Sequence, residues 1–481
     1  MGVEIGPFST ATEMLAALDA HEVSSIELTE MHLARIEAHD GALNAVPVRT
    51  PDLARQAARR ADAARASGQR GALLGLPLTL KESTQTAGLP QSAGIVELKD
   101  HRPEHDGSIA RSVLAAGACL LGKTNIPVAL ADWQADSPVY GRTNNPWDLQ
   151  RTPGGSTGGG AAALASGMTP LEIGSDIGGS IRVPAAYCGV YGHRPSETAV
   201  PRPGSFPFAN LPNPAALMGV QGPLARSATD LELLFDVVAG PVEGEDAAWR
   251  LDLPAARHDR LADFRVAVMP ALSLAQPSSA MQSKVDELAA LLDRGGAKVA
   301  EAMPAVDHDA YFRDYLALLT VITSQGQRRD DREATATRMI ASGDAVLAAQ
   351  ATAMTLDAHD FLSLLDRREA ARQAWREFFV DWDVLICPTA LDAAFPHQSG
   401  PSSQRTLTID DRTVPYLLNI VYPMWAIFPG QPATAFPAGL NAAGLPLGLQ
   451  AIGPYLEDRT TLRFAQLLER EWHGFQPPSG Y

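Results

Sequence analysis

Apolar residues recur along the chain at two spacings, and each spacing predicts a different kind of element. In residues 11–70 they return every three or four positions, as at Ile26, Leu33 and Ile36, which is typical of helices with one buried face. Residues 52–67, rich in alanine and arginine, predict a further helix in this segment. The N-terminal part is therefore expected to be helical.

Short stretches rich in apolar residues follow this segment and are interpreted as buried strands. The first, residues 73–80, ends directly before Lys81, and others occur at 118–121 and 381–388. A helix is predicted between the first two, over residues 106–116. Helices that alternate with short apolar runs indicate an α/β fold, with a large mixed central sheet covered by helices on both faces.

The second half of the chain returns to helical spacing before its last strands. Residues 280–297 predict a helix followed by a glycine pair and a strand, and residues 305–380 predict charged helices. The polar residues 391–412 are expected to form a surface loop. Residues 425–470 are again small and apolar, and they end in a helix near 460–472.

Composition narrows the classes of protein. Of the 481 residues, 46% are hydrophobic and 20% are charged, which is ordinary for a globular enzyme. The net charge is −16 and no long run of lysine or arginine occurs, so no nucleic-acid partner is expected. No apolar run approaches the ~18 residues that span a bilayer, so no membrane partner is expected either.

The three cysteines, Cys119, Cys188 and Cys387, lie far apart and form no C-x-x-C pair. This argues against a disulfide framework and a structural zinc site, so we expect a cytoplasmic protein with no metal. Met1 to Thr10 lack the basic and apolar stretches of a signal peptide. Both a monomer and a homo-oligomer remain open.

Two glycine- and serine-rich segments stand out. Residues 153–159 read Pro-Gly-Gly-Ser-Thr-Gly-Gly, and residues 174–184 contain Gly178-Gly179-Ser180. Glycine lets backbone N–H groups turn toward one point, which makes an anion-binding nest. A serine inside such a nest is placed to attack a carbonyl group while the nest holds the oxyanion.

Together the two segments resemble the signature of the amidase-signature family, in which a lysine after an early strand is followed by GGSSGG and then by GGSIR. Here Lys81 precedes Ser156 by 75 residues, and Ser156 precedes Ser180 by 24. Further stretches are similar to family positions: Gly122 to Asn125, Cys188 to Gly192, Gly222 to Arg226 and Gly444 to Gln450.

The resemblance implies a serine hydrolase that cleaves a C–N bond through an acyl-enzyme, without a cofactor. It makes Ser180 the nucleophile, Ser156, after a cis peptide bond, the proton relay, and Lys81 the base. Lys81 can act as a base only when neutral, so burial must lower its pKa from ~10.4. The oxyanion would be held by backbone N–H groups of the loop, those of Ile177, Gly178, Gly179 and Ser180.

A few residues near the catalytic positions need separate comment. Thr157 and Gly160 stand where the family usually has serines, and Arg194 stands where lysine is common. None of these is a proposed catalytic side chain, so they affect the tuning of the site and not its chemistry. Asp176 and Arg182, on either side of the nucleophile, are expected to hold its loop through hydrogen bonds.

The resemblance covers most of the chain and is weakest in the middle. We expect a single domain, residues 1–481, with four parts. These are an N-terminal helical segment (1–70), the signature core (71–230), a variable helical lobe (231–380) and a C-terminal part that returns to the sheet (381–481).

The substrate is the least determined feature. Trp133 and Gln134 lie where the family often contacts substrate, and aromatic residues near the signature segments favour an apolar pocket. We therefore expect small apolar or aryl amides, with esters and aryl carbamates (urethanes) as related substrates. A second possibility within the family is the glutaminase component of a tRNA-dependent amidotransferase, which would need partner chains.

Two other motifs suggest different proteins. Residues 117–124 fit the P-loop pattern G-x-x-x-x-G-K-T, but they follow a predicted helix where a P-loop follows a strand. Residues 154–158 fit the G-x-S-x-G elbow of α/β-hydrolases, which would make Ser156 the nucleophile of an esterase. That interpretation needs a late histidine, such as His397 or His473, as the base.

Overall fold

The structure is a computed structural model that describes residues 5–209, 217–343 and 345–481. Met1 to Glu4, part of the stretch inspected for a signal peptide, lie outside the described residues. The α-helices are α1 (Ala11–Asp19), α2 (Ser25–Leu43), α3 (Pro51–Ala66), α4 (Ser108–Ala115), α5 (Gly158–Ala165), α6 (Arg182–Cys188), α7 (Ala228–Val238), α8 (Ser279–Arg294), α9 (His308–Thr323), α10 (Arg329–Ala341), α11 (Ala345–Ala353), α12 (Ala358–Asp381), α13 (Met424–Ile427) and α14 (Asp458–Glu471). The strands are β1 (Val48–Arg49), β2 (Pro77–Lys81), β3 (Cys119–Thr124), β4 (Asp136–Ser137), β5 (Gly141–Arg142), β6 (Leu171–Asp176), β7 (Tyr191–Arg194), β8 (Val220–Ala225), β9 (Arg265–Val268), β10 (Lys298–Glu301), β11 (Val384–Pro388), β12 (Thr406–Ile409), β13 (Arg412–Pro415), β14 (Ala433–Leu440) and β15 (Pro446–Ile452).

One large sheet of eleven strands organises the molecule, in the order β1-β3-β2-β6-β8-β7-β14-β15-β11-β9-β10. Strand β2 pairs in parallel with β3 and β6, and β9 pairs in parallel with β10 and β11. The remaining pairs of this sheet are antiparallel. The predicted α/β fold with a large mixed sheet is confirmed.

Both faces of this sheet are covered, as the alternation of side chains along β11 shows. Val384 and Ile386 join one large cluster of buried apolar side chains, and Leu385 and Cys387 join another. Successive side chains of a strand point to opposite faces, so the two clusters lie on opposite sides of the sheet. The apolar residues Val384–Pro388 therefore have the composition of a strand buried on both faces.

The strands around the signature segments differ from the prediction at their ends. The run at 73–80 starts as a turn, closed by the bond from the N–H of Leu76 to the carbonyl of Leu73, and only its end is β2. Strand β3 extends past the predicted 118–121 to Thr124, because Gly122 and Lys123 continue the pairing with β2. Lys81 is the last residue of β2, as expected.

The polar segment 391–412 is not only a surface loop, and that prediction is wrong in part. Strands β12 and β13 form a hairpin across its end. Leu407 and Ile409 are buried while Thr406 and Thr408 are exposed, so the apolar residues alternate with polar ones. The sequence Thr-Leu-Thr-Ile at 406–409 carries this period of two, and threonine favours strands.

The structure also bears on the expectations about cysteines, membrane spans and metal sites. The thiols of Cys119, Cys188 and Cys387 are buried and form no disulfide. None of the helices in the described part of the chain is long and apolar enough to cross a membrane. Across residues 5–209, 217–343 and 345–481, no group of three His, Cys, Asp or Glu side chains is arranged to hold a metal ion.

Candidate active site

Lys81 ends β2 inside the protein and has no exposed surface. Its Nζ donates hydrogen bonds to three hydroxyl oxygens: Ser156 Oγ at 2.6 Å, Ser175 Oγ at 2.9 Å and Thr157 Oγ1 at 3.0 Å. Ser175 comes from β6, while Ser156 and Thr157 come from the segment that leads into α5. Three separate parts of the sequence thus meet at one ammonium group.

Burial changes the protonation of this lysine. Removal from water lowers the pKa of Lys81 to about 7, although the carboxylates of Asp176 and Glu172 act in the opposite direction. A lysine with such a pKa is present in both its charged and its neutral form near neutral pH. The group therefore has the depressed pKa that a lysine needs to act as a base.

Ser156 lies beside Lys81 and follows a cis peptide bond, between Gly155 and Ser156. Its side chain is buried, and its Oγ contacts the lysine directly. The next residue links this segment to the other signature loop, because the N–H of Thr157 donates to the carbonyl of Ser180 at 3.2 Å. The two glycine-rich segments are therefore adjacent in space, although Ser156 and Ser180 are 24 residues apart in sequence.

Ser180 lies in the loop between β6 and α6, and 6% of its surface is exposed. That small opening distinguishes it from Ser156, which is 1% exposed. Within the described residues, Ser180 Oγ makes no hydrogen bond, and none joins it to Ser156. Of the two contacts that the predicted relay needs, the one between Lys81 and Ser156 is formed, and the one between Ser156 and Ser180 is not.

The backbone of the 177–181 loop is held from outside. The carbonyl of Ile177 accepts from the hydroxyl of Tyr315 at 3.1 Å, and that of Gly178 accepts from the indole Nε1 of Trp133 at 2.9 Å. In a planar trans peptide the N–H points away from its carbonyl. The Gly178 N–H therefore points away from Tyr315.

One of the predicted oxyanion donors is already in use. The N–H of Gly179 donates to Asp176 Oδ1 at 3.0 Å, so the prediction that Gly179 contributes is at odds with the structure. Gly179 instead shapes the loop: its φ is +86°, and a Cβ there would lie 2.8 Å from Pro423. The N–H groups of Ile177, Gly178 and Ser180 have no backbone or side-chain acceptor in the described residues.

Asp176 and Arg182 anchor the loop, which confirms their predicted structural part. Arg182 Nε donates to Asp176 Oδ2 at 3.0 Å, and both side chains are fully buried. Burial raises the pKa of Asp176, but Arg182 and Arg194 outweigh that effect and bring it to about 2. Arg194, the residue that departs from the family pattern, also donates to the Asp176 carbonyl at 2.9 Å.

The two residues predicted to bind substrate differ in their surroundings. Trp133 lies against the nucleophile loop through its bond to Gly178, and its ring is 5.3 Å from that of Tyr416. Gln134 exchanges two bonds with the backbone of Gln398, at 2.9 and 2.8 Å. The amide of Gln134 thus ties two segments together, whereas the indole of Trp133 lies against the loop of Ser180.

Three side chains of the site were not predicted as part of it. Thr157 and Ser175 bind Lys81, and Glu172 lies buried on β6 nearby. In the sequence, Thr157 stands out only as a departure from the family pattern. Ser175 and Glu172 reach the site because β6 pairs with β2, a long-range contact that no local pattern in the sequence indicates.

Comparison with known proteins agrees with this geometry. The family described as Amidase matches residues 27–462. The chain is 32% identical to a Glutamyl-tRNA(Gln) amidotransferase component of Chromohalobacter salexigens over 98% of each chain, and 31% identical to that of Gluconobacter oxydans over 94% of each. A bacterial aryl acylamidase of the amidase-signature family has the same fold, with a TM-score of 0.81 at 24% identity, covering 98% of this chain and 99% of that one.

The chain belongs to the amidase family, the amidase-signature enzymes, as its motifs predicted. It is an enzyme that acts on C–N bonds other than peptide bonds.

The two competing interpretations are wrong. Lys123, the lysine of the apparent P-loop, lies inside strand β3, and no helix follows at Thr124. The side-chain partner of Ser156 is Lys81 and not a histidine. The Nε2 atom of His397 contacts Asn144 and that of His473 lies near Glu287.

Proposed function

We propose that this protein hydrolyses carboxamides through an acyl-enzyme on Ser180, with Ser156 as proton relay and Lys81 as base. The observation that carries the proposal is the 2.6 Å contact between Lys81 Nζ and Ser156 Oγ, made by a lysine whose pKa burial lowers to about 7. An alcohol becomes a useful nucleophile only when a base takes its proton, and this pair supplies the base.

The first half of the reaction follows from these positions. Neutral Lys81 takes the Ser156 hydroxyl proton while Ser156 takes that of Ser180, and Ser180 Oγ bonds to the substrate carbonyl carbon. The negative charge moves to the carbonyl oxygen, where the N–H groups of Ile177, Gly178 and Ser180 would stabilise it. The C–N bond then breaks as Ser156 passes a proton to the leaving nitrogen and recovers one from Lys81.

In the second half, water attacks the acyl carbon. Its proton passes through Ser156 to Lys81, and the ester bond to Ser180 breaks. The Ser180 oxygen recovers the proton by the same route, so the acid leaves and the enzyme returns to its first state. Each oxyanion donor is expected to contribute about 3 kcal/mol to the transition state.

The curated relatives support glutamine as one candidate substrate. The proteins of Chromohalobacter salexigens and Gluconobacter oxydans are named as components of a Glutamyl-tRNA(Gln) amidotransferase, and they match nearly the whole chain. Under this proposal the chain would release ammonia from glutamine within a complex of several chains. The prediction of no nucleic-acid partner would then apply to this chain alone and not to the assembly.

The surroundings of the nucleophile loop support a second candidate, small apolar or aryl amides. Trp133 contacts the loop, a Cβ on Gly178 would lie 3.5 Å from Ile420 Cδ1, and Pro423 packs against Gly179. The charged groups behind the loop, Asp176 and Arg182, are buried and paired with each other. Apolar side chains around the loop favour an apolar acyl or leaving group in the substrate. This applies to esters and aryl carbamates as well as to amides.

The nucleophile is tested by covalent labelling with a fluorophosphonate, followed by peptide mass spectrometry. Label on the peptide that contains Ser180, and its loss in Ser180→Ala, is the expected result. Ser180→Ala should also lower kcat/KM for every substrate about 10⁴-fold without unfolding the protein. Label on Ser156, with Ser180→Ala still active, would refute the proposal.

The two substrate classes are separated by one panel assayed on the purified chain. It contains glutamine, a 4-nitroanilide, a 4-nitrophenyl ester and an aryl carbamate. Turnover of the aromatic compounds and not of glutamine favours a free-standing amidase. Glutaminase activity, rising when co-purified partner chains are retained, favours a component of an amidotransferase.

A further inference from the structure

Glu172 is a fully buried carboxylate that the proposed mechanism does not use. It lies on β6, where it is the register partner of Thr79 on β2. Its Oε2 accepts from Thr79 Oγ1 at 2.5 Å and its Oε1 accepts from Thr124 Oγ1 at 2.7 Å. Burial raises the pKa of Glu172 to about 7, while the two hydroxyl donors act in the opposite direction and favour its ionised form.

The position of this carboxylate relative to Lys81 follows from the strands. Thr79 and Lys81 are two residues apart on β2, so their side chains lie on the same face of the sheet. Lys81 is the register partner of Thr124, whose hydroxyl binds Glu172. Glu172 therefore lies on the same face of the sheet as Lys81. It is bound to the hydroxyl of Thr79, two residues before the lysine, and to that of Thr124, the lysine's partner on β3.

The helix above this face makes room for Glu172. Gly160 lies in α5, one turn after Thr157, and a Cβ at that position would be 2.6 Å from the Cδ atom of Glu172. A serine, usual in the family at this position, would not fit against the carboxylate in this arrangement. Gly160 and Glu172 are thus matched to each other.

The charges that act on this pair are few. Asp176 and Glu172 act on Lys81, and Lys81 is the charged group that acts on Glu172. Asp176 is bonded to Arg182 and lies 3.8 Å from a guanidinium nitrogen of Arg194, so cations already compensate it.

The other buried charges of these strands face away. The side chain of Lys123 on β3 binds the carbonyl of Pro90, and that of Glu82 binds Ser92 and Tyr140. Lys123 precedes Thr124 on β3, so its side chain points to the opposite side of the sheet, and Glu82 lies in the turn after β2. Among the described residues, Lys81 is the cation that acts on the charge of Glu172.

We propose that Glu172 is a positioning residue that sets the proton affinity of Lys81 through its buried negative charge. The inference rests on the proposed function, in which Lys81 is the base. Desolvation alone would make the lysine too weak a base to draw a proton from serine. An unpaired carboxylate on the same face restores part of that basicity without a hydrogen bond that would immobilise the ammonium group.

The decisive variant is Glu172→Gln, which keeps the shape and can still bond to both threonines. Loss of the negative charge should lower the pKa of Lys81, so the acidic limb of kcat/KM for an amide should move about one unit to lower pH. The matched control is Glu469→Gln. Glu469 is another carboxyl whose pKa burial raises to about 7, but it binds the N–H of Ala228 on α7. The acidic limb of kcat/KM in Glu469→Gln should lie at the same pH as in the wild type.

A second measurement uses a reagent whose leaving group does not need a proton, so it reports only the activation of Ser180. The rate of Ser180 labelling by a fluorophosphonate, measured against pH, should show the same shift in Glu172→Gln. If that variant does not fold, Thr124→Val replaces it, since loss of one donor destabilises the carboxylate and should move the limb in the same direction by less. An unmoved limb in the folded variant would overturn the inference.

Failure of the proposed function looks different. In that case Ser180→Ala would retain turnover, or the wild type would show no acidic limb that depends on Lys81. The inference alone fails when Ser180 and Lys81 are essential and the limb of Glu172→Gln coincides with that of the wild type.

Discussion

Two buried lysines lie on neighbouring strands of this enzyme, and they differ in the kind of hydrogen-bond partner that surrounds each ammonium group. Lys81 ends β2 and Lys123 lies on β3, and both are fully buried. In the pairing of these strands Lys123 is the partner of Leu80 and Lys81 is the partner of Thr124. Partners share a face and neighbours alternate, so the two ammonium groups lie on opposite sides of one sheet.

The hydrogen-bond partners of the two groups are of different kinds. Lys81 binds three hydroxyls, and a hydroxyl can accept from an ammonium group or donate to an amine. Lys123 binds the carbonyl of Pro90, which can only accept, and lies near Glu82. Burial lowers the pKa of Lys123 to about 8 while Glu82 opposes it. The first environment suits a lysine that exchanges protons, and the second suits one that remains charged.

The difference shows that burial alone does not identify a catalytic lysine. Both groups lose solvation, and in both the pKa falls. What distinguishes Lys81 is a set of partners that remain satisfied in either protonation state, one of which leads to the nucleophile loop. Substitutions at the two positions should therefore separate activity from stability.

The largest effect is expected from Lys81→Met. Without the base, Ser156 cannot pass a proton to or from Ser180, so kcat/KM for an amide should fall about 10³-fold. The fold should persist with an unchanged or higher Tm, because the substitution removes a buried charge and leaves only hydroxyls that can bond to one another. Steady-state kinetics and thermal unfolding measure the two quantities. Near-normal amide turnover would rule out Lys81 as the base.

Lys123→Met should have the opposite profile. It leaves the Pro90 carbonyl without its donor and Glu82 without its nearby cation, in the interior of the protein. We expect the free energy of unfolding in urea to fall by about 3 kcal/mol. kcat/KM per folded molecule should change by less than a few-fold. A loss of activity as large as that of Lys81→Met, in a stable protein, would erase the contrast between the lysines.

The pH dependence of stability gives a third, smaller difference. Below pH 7 both the folded and the unfolded state hold the Lys81 proton, and the folded state bears the full cost of the buried charge. Above pH 7 the folded state releases this proton, while the unfolded state keeps it until about pH 10.5. The free energy of unfolding of the wild type, relative to that of Lys81→Met, should therefore rise by about 2 kcal/mol between pH 7 and 9. A constant difference across this window would show that the folded-state pKa is not lowered.

The contrast between the lysines also marks how far sequence alone could lead. Lys81, Ser156 and Ser180 could be selected because their spacing and glycine-rich flanks match a family pattern, although their roles stay predictions until they are tested. The mixed sheet followed from apolar runs alternating with helices, and it is confirmed. Both predictions depend on the order and spacing of residues along the chain and not on which distant strands pair.

Part of what was not predicted depends on contacts between distant segments, and part is local. Ser175 and Glu172 reach Lys81 only because β6 pairs with β2. The Gly179 N–H was assigned to the oxyanion, but Asp176 three residues earlier accepts it. An aspartate that accepts from an N–H three residues later is a local motif, and here it competes with the oxyanion assignment. The hairpin near Leu407 was missed although residues 406–409 alternate between polar and apolar, the period of a half-buried strand.

The smallest effect tests whether the hydroxyls around Lys81 matter one by one. Thr157 Oγ1 is one of three acceptors for Lys81, and the side chain also packs on Gly174, where a Cβ would lie 2.6 Å from that oxygen. Thr157→Ser keeps the hydroxyl and restores the residue usual in the family, so kcat/KM should stay within about twofold. Thr157→Val keeps the shape but removes the acceptor, and the loss of one hydrogen bond, about 1 kcal/mol, should lower kcat/KM about fivefold. Comparison of the two variants separates the effect of the hydroxyl group on kcat/KM from the effect of side-chain volume. If Val were as active as Ser, two acceptors would suffice for Lys81, and its distinction from Lys123 would lie in the identity of Ser156 alone.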